Sequence, residues 1–180
     1  GLPLLNYRRF LDIGGLAAIR VEDEAVFQAS HGLVLDWVRD GKVHAIRVDH
    51  PDGLSDPEGY FDRLRKAAPG AWLVGEKVLS PGEWLPENWA VDGTTGYEFL
   101  NLLNGLFVAP RAESALTEAL ASFTQKPVPP LAEVLTEAKR QAIDELLAPE
   151  VSRLARLLVE AARERGLYAD DARTRSALAA

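Results

Sequence analysis

Hydrophobic and polar positions change their rhythm along this chain, and each change marks an element. Between Glu22 and Arg39 the apolar residues Ala25, Val26, Ala29, Leu33, Val34, Trp37 and Val38 recur at helical spacing. Asp23 is the expected N-cap, Glu24 lies in the first turn, and Gly41 falls just past the end. Val43 to Val48 is a near-continuous apolar run with β-branched members, the pattern of a buried parallel strand. Pro51, Asp52, Gly53 and Ser55 make a loop, and Asp56 before Pro57 reads as a cap followed by the first helical position. Tyr60, Phe61, Leu64 and Ala67 give that helix a buried face; Pro69-Gly70 ends it, and Ala71 to Lys77 is a second strand. Strand, helix and strand in this order make a βαβ unit, and the preceding helix extends it to αβαβ. The expected class is α/β, as in a barrel or a doubly wound sheet.

Elsewhere the rhythm differs. Leu4 to Gly15 suits a loop or a short strand, with Asp12 ahead of the Gly14-Gly15 break. Ser80 to Gly96, rich in Pro, Gly and Trp, reads as an ordered loop. Tyr97 to Val108 is expected to be helical. Only Gly166 of the 14 glycines lies beyond residue 110, and the chain there turns helical. Arg111 to Ser122, Leu131 to Leu147, Pro149 to Arg165 and Ala169 to Ala180 are the expected helices, with a proline linker at Lys126 to Pro130. These elements predict an αβαβ segment of a barrel or a doubly wound sheet over 1–108 and a mostly helical subdomain over 109–180. No residue set after Arg111 has catalytic spacing, and its charges read as solvated helix faces.

Charge narrows the partners. With 20 basic and 27 acidic side chains the net charge is −7, which opposes binding to nucleic acid or to an anionic membrane surface. A neutral sugar is not opposed. The absence of cysteine removes disulfides, thiolate chemistry and cysteine-based zinc sites. No apolar run has the length of a membrane span, and the N-terminal residues lack a signal pattern. The expected location is cytoplasmic, and the chain reads as one entered partway through something larger.

The candidate chemistry gathers at strand ends. Strand side chains alternate faces, so Arg47 and Asp49 point one way while Ile46 and Val48 point the other. Glu76 occupies the corresponding end of the second strand. In parallel neighbours both ends lie on one rim, where α/β folds place their sites. The plainer reading of Arg47 and Asp49 is a structural ion pair. In the functional reading, Arg47 favours the charged form of Asp49, while emergence from an apolar strand favours the protonated form of Glu76. One ionised nucleophile and one protonated acid make up a retaining glycosidase or transglycosylase. Loop Trp and Tyr side chains would offer surfaces on which sugar rings stack. His31 reads as a surface or core-edge histidine. Two rivals remain: a metal-dependent hydrolase using His44, Asp49, His50 and Asp52, and a non-catalytic helical interaction module for which the αβαβ part is a scaffold.

The run Arg47-Val48-Asp49-His50 resembles the second conserved region of the α-amylase superfamily of (β/α)8-barrel enzymes, and Gly75 to Leu79 (GEKVL) resembles the third. More narrowly, Asn6 to Phe10 (NYRRF), Arg47 to Leu54 (RVDHPDGL), GEKVL and Gly93 to Leu100 (GTTGYEFL) resemble the maltooligosyl trehalose synthase family. The helical tail, with Lys139-Arg140, is similar to an insertion found there. The resemblance implies that Asp49 is the nucleophile and Glu76 the general acid/base. It implies that Arg47 orients Asp49, and that His50, Lys77, Tyr97, Arg9 and Trp84 contact a malto-oligosaccharide. Trp89, beside Trp84, is a candidate either for shielding the site from water or for core packing. No cofactor and no metal are implied. Ala45 stands where the family usually has Gly. The superfamily's third acid and its early strand bearing Asp and His have no counterpart here. A complete barrel needs about 250 residues. The chain is therefore expected to be a central piece of such a barrel, inactive by itself, with open sheet edges through which it could self-associate.

Overall fold

The computed structural model describes residues 7–178. In chain order its elements are β1 (Arg9–Phe10), β2 (Ile13–Ala17), α1 (Glu24–Arg39), β3 (Ala45–Val48), α2 (Pro57–Ala67), β4 (Trp72–Gly75) and β5 (Gly93–Thr94). Then follow α3 (Tyr97–Gly105), α4 (Glu113–Thr124), α5 (Leu131–Gln141), α6 (Ala148–Glu164) and α7 (Asp171–Leu178). The chain forms two compact units, one spanning Ile19–Glu113 and the other combining the chain up to Ala18 with that from Ser114 onward.

The Ile19–Glu113 unit is mixed α/β. Its helices start where the sequence places caps. Asp23 accepts from the Ala25 and Val26 N–H groups at the head of α1, and Asp56 accepts from Gly59 N–H with Pro57 behind it at the head of α2. Strands β3, β4 and β5 lie side by side in that order, all parallel, with Val48 opposite Gly75 and Gly75 opposite Thr94. The third strand falls inside the stretch expected to be loop. It is two residues long, too short for periodicity to reveal, and a neighbouring side chain fixes it. Asp92 accepts from Leu73 N–H at 2.7 Å and from Arg65 Nη2 at 2.8 Å, while its own N–H donates to the Leu73 carbonyl at 2.8 Å. Arg65 also donates to the carbonyls of Ala71 and Ala90, so a single guanidinium ties the entrances of β4 and β5 to α2.

The core lies on one side of this sheet. Phe27 of α1, Phe61 and Leu64 of α2, Val48 of β3 and Leu73 of β4 are buried together, and Trp89 leans on them with its ring 5.0 Å from that of Phe61. Gly75 faces this cluster, where an added Cβ would come 3.1 Å from Phe61 Cζ. The opposite face is a correction to the expectation of a strand buried on both sides: Ala45, Arg47 and Trp72 are exposed, Trp72 by 60%. The apolar composition of the strands matches two covered faces, but the helices of this unit cover only one.

His31 sits at the core edge. Its ring stacks on Phe27 at 4.3 Å, Nδ1 lies 3.1 Å from the Phe27 carbonyl, and Nε2 lies 2.8 Å from Tyr60 Oη. Nδ1 also lies 2.8 Å from Ser30 Oγ, and a neutral ring that donates from Nδ1 to the Phe27 carbonyl receives the Tyr60 hydroxyl at Nε2. Burial pushes the His31 pKa below its ordinary value, the Phe27 carbonyl opposing in part. The unfolded chain protonates this histidine near 6.5, before the folded one does. Between the two values the unfolded state binds more protons, so stability falls as the pH drops through that window. An NMR titration of the three histidines should show His31 with a midpoint below 6.5; a midpoint at or above it contradicts this placement.

The other unit is an antiparallel β1–β2 hairpin together with helices α4 to α7. Arg9 on β1 donates from Nε to Glu150 Oε1 at 2.7 Å and from Nη2 to the Leu146 carbonyl, which fastens the hairpin to the head of α6. The helix expected over 131–147 is interrupted: α5 stops at Gln141, a π turn covers Ala142–Leu146, and α6 restarts at Ala148. Pro149 explains the restart, since it lacks an N–H and is tolerated only in a helix's first turn. Ala148, Ala155 and Val159 are the buried residues of α6. The apolar stripes of α4 and α5 are present, but no residue of either helix is buried. Asn6 of the NYRRF motif and the last two residues of the final expected helix lie outside the described residues.

Candidate active site

Asp49 and Glu76 stand on one rung of the sheet. The β3–β4 register pairs Val48 with Gly75, and the ladder continues one step, Glu76 N–H donating to the Val48 carbonyl at 2.8 Å. The next residues on the two strands are therefore these two carboxylates. They project from the exposed face together with Arg47, opposite the face that carries Val48 and Gly75. Beyond the rung the first strand turns away. His50 takes a left-handed conformation (φ 50°, ψ 46°), costly for a residue with a Cβ, and leads into a 3-10 turn over Pro51–Gly53. This kink aims the His50 N–H at Glu76, whose Oε2 accepts it at 2.8 Å.

Asp49 Oδ1 accepts from Arg47 Nε at 2.6 Å. That hydrogen bond, with the charge behind it, holds the Asp49 carboxyl below its ordinary pKa, and it raises the Arg47 pKa in turn. Glu76 and Tyr97 add smaller electrostatic contributions that also raise the Arg47 pKa. Both members of the Arg47–Asp49 pair are more than half exposed. A pair this exposed adds little to stability. Its consequence is an ionised, oriented Asp49.

The remaining expected site residues divide by location. Lys77 donates to both oxygens of Asp52, at 3.0 and 2.9 Å, and lies 3.8 Å from Glu83. Tyr97 opens α3 and is partly exposed. Trp84 is 86% exposed on the loop after β4, whereas Trp89 on the same loop packs against Phe61. Arg9 belongs to the other compact unit, its guanidinium engaged by Glu150, Leu146 and Asp12. Among the described residues no three His, Asp or Glu side chains converge as metal ligands, and Asp49 and Asp52, of the rival metal grouping, are each paired with a cation. No helix among the described residues is long and apolar enough to cross a membrane.

Sequence reasoning passed over two features of the rim. Thr95 continues the rung onto the third strand, its N–H donating to the Gly75 carbonyl at 3.1 Å. Its Oγ1 and Glu98 Oε2 are buried without a hydrogen-bond partner among the described residues. Asp52, in sequence a loop residue and a rival metal ligand, is the counter-ion of Lys77. The Thr95 placement carried no sequence signal, because it depends on a strand of two residues.

No protein-family model matches the chain. A protein of Mycobacterium tuberculosis that bears the name maltooligosyl trehalose synthase is 44% identical over 160 residues, covering 88% of this chain and 21% of the relative. The solved structure of maltooligosyltrehalose synthase from Arthrobacter ramosus superposes with a TM-score of 0.80 at 40% identity, over 86% of this chain and 20% of that one. A structure from Sulfolobus tokodaii with the same name gives 0.74 at 38% identity, over 84% and 20%. The chain thus spans about a fifth of the length of the relatives it matches.

Proposed function

We propose that this chain is a segment of a maltooligosyl trehalose synthase, carrying two of the acidic groups of its active site at the ends of two neighbouring parallel strands of a (β/α)8 barrel. The supporting observation is the shared rung: Asp49 bonded to Arg47, with Glu76 one hydrogen bond from the adjoining peptide. In the proposed reaction the Asp49 carboxylate attacks the anomeric carbon of the penultimate glucosyl unit of a malto-oligosaccharide. Glu76 donates its proton to the departing O4 of the reducing-end glucose as the α-1,4 bond breaks. That glucose stays bound. Glu76, now a carboxylate, takes the proton from its anomeric hydroxyl, whose oxygen attacks the glycosyl-Asp49 ester and expels the carboxylate. Two inversions give an α,α-1,1 linkage, and the net change is an isomerisation.

Water competes for the ester, so the site must exclude it. Tyr97 at the mouth and the exposed Trp84 indole are the groups we assign to shielding and to sugar stacking, with His50 beside the acid/base. Arg9, engaged within its own unit, is assigned no part. The test is incubation of the full-length protein carrying this chain with maltopentaose. The expected product has the same mass, no reducing end, and releases trehalose on further digestion. Glucose and maltotetraose as the main products would sink the transfer reading in favour of hydrolysis. The isolated chain is expected to give neither, since its second sheet face is uncovered.

A further inference from the structure

Two consecutive residues after β4 are gripped by two residues of a single turn. Glu76 accepts the His50 N–H, and Lys77, the next residue, binds both oxygens of Asp52 two residues further along that turn. We propose that Asp52 and Lys77 are a positioning pair for the acid/base of the site, fixing the Pro51–Gly53 turn whose leading N–H holds the Glu76 carboxyl. This rests on the reading of Glu76 given above and extends it to residues that do not touch the reacting atoms.

Three observations make the pair a strut rather than an incidental contact. The Lys77 side chain is only 17% exposed, and its ammonium is shared between Asp52 on one loop and Glu83 on the next. The turn it braces is strained, because His50 is left-handed and a residue with a Cβ relaxes from that region unless its surroundings hold it. The imidazole also lies over Gly53: a Cβ there would come 2.3 Å from His50 Cδ2 and 2.6 Å from Nε2, so any larger residue would have to displace the ring. A carboxyl held at one oxygen by one N–H can still swing about its own torsions. Anchoring the donor at a second point removes that freedom, and displacements on the order of 1 Å cost up to about a hundredfold in rate. The same contacts argue that Lys77 is not chiefly a sugar ligand, since its donors are already directed at carboxylates.

The experiment uses the full-length protein and the near-isosteric variants Asp52→Asn and Lys77→Met, singly and together. Each is expected to lower kcat on maltopentaose about tenfold or more, with KM changed by less than about twofold. The double variant should fall no further than the weaker single one, as for two halves of one device. Hydrogen exchange followed by mass spectrometry should show faster exchange in the peptide containing His50. A raised KM with normal kcat would instead make Lys77 a sugar contact, and independent, multiplying losses would dissolve the pair; either overturns the proposal. Should the full-length protein make no trehalose-ended product, the reading of Glu76 fails. Exchange at His50 then still decides the strut: protection unchanged in Asp52→Asn refutes it.

Discussion

Asp49→Asn in the full-length protein should lower kcat on maltopentaose by at least about 10³-fold, the scale of losing a covalent nucleophile. Asparagine has the same shape and its amide oxygen can still accept from Arg47 Nε, so the 2.6 Å contact that orients the side chain has a replacement. What disappears is the negative charge and the capacity to form an ester with the anomeric carbon. Binding energy and orientation remain, so KM should change far less than kcat. The variant must also fail to accumulate a glycosylated peptide containing residue 49 when the reaction is quenched in acid and analysed by mass spectrometry. A kcat within tenfold of the parent value removes Asp49 from the role of nucleophile. Because Arg47 holds the Asp49 carboxyl below its ordinary pKa, the proposed nucleophile is expected to stay charged at neutral pH.

Glu76→Gln should cost at least about 10²-fold in turnover, the usual worth of a positioned acid/base. Glutamine keeps an oxygen that can accept the His50 N–H, so the strand end should keep its form while proton transfer is lost. This yields a sharper signature than the rate alone. An α-maltosyl fluoride needs no protonation of its leaving group, so formation of the Asp49 ester from it should be nearly restored in Glu76→Gln, whereas transfer from an ordinary malto-oligosaccharide stays slow. Equal impairment on both substrates points to a structural role for Glu76, and near-normal turnover on maltopentaose ends its candidacy.

Much of the architecture follows from short-range rules. The Asp23 and Asp56 caps, the Pro57 start, the Gly41 stop and the apolar runs of β3 and β4 were all legible, because caps, ring constraints and periodicity act within a few residues. The one-crossover spacing from Asp49 to Glu76 was legible too: a βαβ unit of that length sets its strand ends side by side. Strand β5 was not legible. It owes its existence to Asp92 and Arg65, which meet only after α2 has folded onto the sheet. The new start at Pro149 was legible, but the end of α5 at Gln141 and the π turn after it were not, since periodicity runs smoothly through Ala142–Leu146.

By itself the sequence determined which elements carry the candidate carboxylates, and that Asp49 and Glu76 leave their strands on one rim, because alternation and crossover length are properties of the backbone. Only the tertiary structure decided how that rim is held. The N–H that His50 turns toward Glu76 and the bridge from Asp52 to Lys77 join residues 26 and 25 apart in the chain, brought into hydrogen-bond range by sheet pairing. Hydrogen bonds and ion pairs act over a few ångströms of space and are indifferent to sequence separation, so no pattern along the chain announces them.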